Sequence, residues 1–107
     1  MFSRSRYIHH QIPDGTKYRG FSVLLEPALD NGSVHVSVTF CSKSDQFCKK
    51  TARQILANRA SFYVPVANLP KVLYAYQVRC GAVFDEVDSQ YSKHASNQWT
   101  WIWKYFL

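Results

Sequence analysis

The sequence predicts a small α+β domain: one antiparallel or mixed sheet with two helices packed on one of its faces, in the order β-β-α-β-α-β. Three observations carry that expectation. Val34–Cys41 alternates apolar and polar residues, two later segments repeat apolar residues at helical spacing, and 107 residues suffice for one hydrophobic core. A hydrophobic content of 47% with 16% aromatics excludes a wholly disordered chain. With no internal repeat, low-complexity tract or linker, residues 1–107 read as a single domain.

Residues 1–12 carry Arg4, Arg6, His9 and His10 with few core candidates, and read as a basic arm or a first edge strand. Lys17–Glu26 is rich in β-formers and stops at Pro27. In the next strand Val34, Val36, Val38 and Phe40 share one face, opposite His35, Ser37, Thr39 and Cys41. Asn31-Gly32 between the two strands suits a tight turn, so a β-hairpin is expected. Ser42 or Ser44 is placed to cap a helix over Asp45–Arg59, with Ser42 and Asp45 at capping-box spacing. Its apolar stripe is Phe47, Ala52, Ile55 and Leu56, joined by Thr51.

Ser61–Val66 follows as a short strand, sent to a sheet edge by Pro65. A second helix begins at Asn68 with Pro70 in its first turn, shows Leu69, Val72, Leu73, Tyr76 and Cys80 on one face, and stops at Gly81. Residues 82–97 are ambiguous between a short helix and a loop. Gln98–Phe106 alternates again, with Trp99, Trp101, Trp103 and Tyr105 against Thr100, Ile102, Lys104 and Phe106, and reads as the last strand.

Charge narrows the partners. Thirteen Lys+Arg against seven Asp+Glu give a net charge of +6, which favours nucleic acid, an anionic membrane face or an acidic protein surface, although it also serves solubility. The opening MFSRSRYIHHQIP has no apolar core of a secretory signal, and no run approaches the ~18 apolar residues of a membrane span. Three cysteines, Cys41, Cys48 and Cys80, lack paired spacing. A reducing cytoplasmic setting with free thiols and no membrane contact is the simplest expectation, in the host cell if the chain is of phage origin.

No catalytic, metal or nucleotide signature is complete, so a non-enzymatic protein without cofactor is expected. Zinc needs close Cys or His pairs that Cys41, Cys48, His9-His10, His35 and His94 do not supply. Asp85, Glu86 and Asp88 form one acidic stretch and no converging set of ligands.

Two features remain as candidate sites. Lys49, Lys50 and Arg53 crowd one turn of the first helix, with Arg59 beyond them. Like charges at i and i+4 weaken an isolated helix slightly, and a phosphate backbone would offset that. A solvated helix face explains the same pattern. Arg4, Arg6, Lys17 and Arg19 extend the positive field. The second feature is Trp99, Trp101 and Trp103, which would stack on bases, anchor a protein partner, or line the core.

The stretch Val36–Arg59, with V-x-V-x-F-C, then D-x-F-C-K-K and A-R-Q-I-L-A-N-R, resembles small accessory proteins encoded by phages and other mobile elements. That resemblance covers under a quarter of the chain. It implies a protein acting on nucleic-acid machinery, or an inhibitor of a host defence as anti-CRISPR proteins are. The expectation is therefore a small basic accessory protein that binds nucleic acid through the Lys/Arg-rich helix. The alternative is a phage-type inhibitor of a host defence or nucleic-acid-processing complex. An exposed edge strand would allow a homodimer in either case.

Overall fold

In the computed structural model, residues 5–12, 16–29, 32–81, 99 and 102 are described. The expected hairpin organises the chain. Strands β2 (Tyr18–Pro27) and β3 (Ser33–Ser42) pair antiparallel from Tyr18↔Ser42 to Pro27↔Val34. Ala28 N–H donates to the Ser33 carbonyl (3.1 Å) where the strands close. Asp30 and Asn31 of the expected turn lie outside the described residues.

Arg6–Gln11 is an edge strand, β1, paired antiparallel with β2, which decides between strand and arm for those residues. Strand β4 (Phe62–Pro65) lies on the other side and pairs only with Ser33–Val36 of β3. The four-stranded sheet has the order β1-β2-β3-β4 and is antiparallel throughout. Pro65 sits on an edge strand, where a missing N–H breaks no inner ladder.

Directly opposed residues share a face, so the register sorts the side chains. Ile8, Phe21, Val23, Leu25, Val34, Val36 and Val64 form one buried face, with Val38 and Phe40 packed against them. The predicted alternation of β3 is thus found. Helix α2 (Leu69–Arg79), entered through a 3-10 turn at Val66–Asn68, covers this face with Leu69, Leu73 and Tyr76. Pro70 falls in its first turn, while Asn68 makes no side-chain cap.

Gly81 ends α2 at φ 79°, the left-handed conformation that glycine adopts without strain. The chain after α2 is tied to the start of β2: Thr16 N–H donates to Gly81 O (3.2 Å) and Lys17 N–H to Cys80 O (2.9 Å).

Helix α1 (Lys49–Ala57) lies on the opposite face. Its approach segment sets Phe47 against Gly20, its Arg53 stands over Tyr7, and a cleft between helix and sheet is lined by Ser22, Thr39 and Cys41. The sheet is therefore sandwiched between helices, and the expectation of both helices on one face is corrected. The physical reason lies in β2, whose Gly20–Leu25 run is buried on both faces, with Phe21, Val23 and Leu25 towards α2 and Ser22 and Leu24 towards α1. A continuous rather than alternating run is the mark of a two-sided strand.

Two further expectations change. Helix α1 starts at Lys49, not Asp45, because Ser42 is used in a turn: Ser44 N–H donates to its hydroxyl (3.2 Å) and Asp45 N–H to its carbonyl (3.1 Å). Cys48 is the N-cap residue, with extended backbone and no side-chain cap.

At the C-terminus, Trp99 and Ile102 are both buried, and Ile102 N–H donates to Trp99 O (3.1 Å). A strand would send these two side chains to opposite faces, whereas a helical turn brings them together. The predicted last strand is replaced there by a turn, and residues 82–98, 100–101 and 103–107 lie outside the described residues. The described order is β-β-β-α-β-α.

Candidate nucleic-acid interface

Helix α1 begins with Lys49 and Lys50 and has no acidic residue in its first turn. Unpaired N–H groups make that end of a helix partly positive, so each lysine there costs about 0.3–1 kcal/mol of helix stability. Local helix stability therefore does not account for their placement. Lys49, Lys50 and Arg53 are all exposed.

The field of α1 reaches β1. The Arg53 guanidinium carbon lies 5.6 Å from the centre of the Tyr7 ring, within cation–π range. Tyr7 in turn is stacked on His9, with centroids 6.1 Å apart and planes 7° from parallel. His9 Nδ1 is 2.8 Å from Ser22 Oγ, and its Nε2 is buried without a hydrogen-bond partner. Burial holds His9 below the usual histidine range, helped by the charges of Arg53 and Lys49. Its neutral form is favoured near neutral pH, so the positive charge of this surface resides on lysine and arginine.

Beneath α1 the sheet carries hydroxyls. Ser22, Ser37 and Thr39 are buried, and Leu56 is the buried residue of the helix itself. Between α1 and the sheet runs a cleft of about 400 Å³, lined among others by Thr39, Cys41, Asp45, Phe47 and Cys48. The helix is thus seated on a mixed surface, with Leu24, Phe47 and Ile55 beside the hydroxyls.

The structure brings together Lys49 and Arg53 with Tyr7 and His9, and Lys50 adjoins them on the helix. Arg59 is used differently: its Nη1 donates to Val38 O (3.0 Å), just past the point where β4 stops pairing with β3. Arg6 pairs with Leu25 and so takes the α2-side position of β1, away from α1. Arg19 ties β2 to the turn after β3 by donating from Nε to Lys43 O (2.9 Å). Lys17 is exposed beside the end of α2. Arg4, Trp101 and Trp103 lie outside the described residues.

Trp99 belongs to the core. Its ring meets His10 edge-on at 5.0 Å and Phe21 at 6.4 Å, and its indole N–H donates to Gln77 Oε1 (3.1 Å). Its faces and its donor are engaged inside the protein, so the stacking role considered for it is not one this packing offers.

Tyr7 and His9 join this surface by alternating about Ile8 on β1, a pattern the sequence carries once 6–11 is taken as a strand.

Among the described residues, no three His, Cys, Asp or Glu converge as a metal site, and no helix is long and apolar enough to cross a membrane. Comparison of the chain with protein-family models, curated proteins and solved structures finds no match.

Proposed function

We propose that this domain binds nucleic acid without sequence readout, through phosphate contacts from Lys49, Lys50 and Arg53, as a non-enzymatic accessory protein. One observation carries the reading: two lysines occupy the positive end of α1, with no acidic residue in that turn to offset them. A polyanion would gain from the side chains and from the positive end of the helix together. Each phosphate neutralised releases condensed counterions, which makes the affinity fall with salt. Tyr7, beside Arg53, adds an aromatic edge at the border of the same surface. The resemblance to phage accessory proteins suggests a role beside nucleic-acid machinery in a host cytoplasm.

The test is fluorescence anisotropy with labelled single- and double-stranded DNA and RNA across a salt series. Binding should weaken steeply with salt, and the Lys49/Lys50/Arg53→Ala variant should bind less at every sequence. Equal affinity of variant and wild type would remove α1 from the role.

A second reading, an inhibitor that grips a protein, is favoured by the edge strand β4. There Phe62 and Tyr63 are 45% and 57% exposed on the strand that ends the sheet among the described residues. Absence of nucleic-acid binding at low salt, with capture of a host protein that is lost on Tyr63→Ala, would select it.

A further inference from the structure

We propose that Cys48 and Cys41 form a hydroperoxide-responsive dithiol, in which Cys48 is oxidised first and Cys41 resolves it to an intramolecular disulfide. The inference is independent of the nucleic-acid reading. Both thiols line the cleft between α1 and the sheet. Cys48 is exposed at the start of α1, and Cys41 is half-buried near the end of β3.

The six residues between them fold back on themselves. Asp45 N–H closes a turn onto Ser42 O (3.1 Å), and Cys41 Sγ lies 3.9 Å from the Asp45 carbonyl. Cys41 thus sits beneath the loop that leads to Cys48.

Their environments differ as a relay requires. The neighbouring Thr51 hydroxyl, then the first-turn N–H groups and the Lys50 charge, favour the Cys48 thiolate and hold its pKa below the usual cysteine range. Burial pushes the Cys41 thiol up, and the charges of Asp45 and of Cys48 itself raise it further. An exposed, thiolate-prone cysteine beside a resolving cysteine is the arrangement of redox-sensing thiols. Cys80 provides an internal contrast, since it is fully buried and its thiol is pushed up to about 11.

In the first step the Cys48 thiolate attacks one oxygen of the hydroperoxide. The S–O bond forms, the O–O bond breaks, and the leaving alkoxide takes a proton to become the alcohol. In the second step Cys41, having given its proton to solvent, attacks the Cys48 sulfur. The S–S bond forms, the S–O bond breaks, and hydroxide leaves with a proton as water. Overall, two thiols and one hydroperoxide give one disulfide, one alcohol and one water, with hydrogen peroxide giving a second water as the alcohol. Closure requires the start of α1 to move towards the end of β3, across the cleft that both thiols line.

The experiment treats the dilute full chain with hydrogen peroxide and reads the products by intact mass and peptide mapping. The wild type should lose the mass of two hydrogens and yield a linked Cys41–Cys48 peptide, with Cys80 unmodified. Cys41→Ser should accumulate a sulfenic acid on Cys48 that dimedone traps several-fold more than in wild type. Cys48→Ser should form no intramolecular disulfide. Circular dichroism confirms that both variants are folded. Dimedone trapping at Cys48 that is the same with and without Cys41, or a wild type oxidised at Cys48 to sulfinic acid without any link to Cys41, would overturn the proposal.

Discussion

Replacing Gln77 by leucine tests how Trp99 is held. Gln77 is a buried polar residue on the inner side of α2 and serves two partners, each at 3.1 Å. The Trp99 indole N–H can only donate, which turns Oε1 of the amide towards it. The amide NH₂ then faces His10 Nε2, which must accept. Leucine fills a similar volume but satisfies neither group.

An orphaned buried polar atom costs about 1–3 kcal/mol. His10 is only half-buried and can turn towards water, so most of the loss falls on the Trp99 N–H. The expected destabilisation is about 2–4 kcal/mol, a large share of the ~5–15 kcal/mol that holds a domain of this kind together. Urea denaturation followed by circular dichroism measures it, and a thermal midpoint lowered by about 10 °C or more would accompany it. Trp99→Phe removes the donor instead. The double variant should lose less than the sum of the two single variants, by about 1–2 kcal/mol. A Gln77→Leu variant within ~0.5 kcal/mol of wild type, or a strictly additive cycle, would refute the network and with it the core placement of Trp99.

Further outcomes follow from the same geometry. His10 is held below its ordinary pKa by burial, and His9 by burial with Arg53 and Lys49, so the unfolded chain binds more protons than the folded one in the window beneath 6.5. Stability from these groups is full above pH 6.5 and is lost as pH falls towards the folded values. Urea midpoints at pH 7 and pH 5 should show that drop, and it should shrink in His10→Gln. Gly81→Ala forces a side chain onto a left-handed backbone and into the Thr16 hydroxyl, and should cost about 1–3 kcal/mol in chemical denaturation. Arg59→Ala loses one hydrogen bond to Val38 O, expected at about 0.5–1.5 kcal/mol of stability, while salt-titrated nucleic-acid affinity changes far less than in Lys49/Lys50/Arg53→Ala. That triple variant should reduce the slope of log affinity against log salt by about 3 on duplex DNA.

Much of the framework is legible in local sequence because local physics sets it. The β2–β3 hairpin follows from the alternation of Val34, Val36, Val38 and Phe40, Pro65 marks an edge, and Gly81 marks the end of α2. The exposure of Lys49, Lys50 and Arg53 is also readable, since three adjacent cations are too costly to bury unpaired.

What remained for the tertiary structure was the choice among partners for the same atoms. Ser42 has the composition of a helix cap, but its hydroxyl and carbonyl close a turn first, and α1 starts at Lys49. Arg59 reads as one more surface cation until the early end of β4 leaves the Val38 carbonyl for it to reach. Trp99 and Ile102 alternate in sequence as strand residues do, yet a turn docked under α2 buries both, with Gln77 supplying the acceptor that Trp99 needs. The side taken by α1 depends on β2 burying Leu24 on the face away from the main core. Short-range periodicity is intrinsic to the chain, whereas which face is covered, and which polar group answers which, depends on residues that only folding brings together.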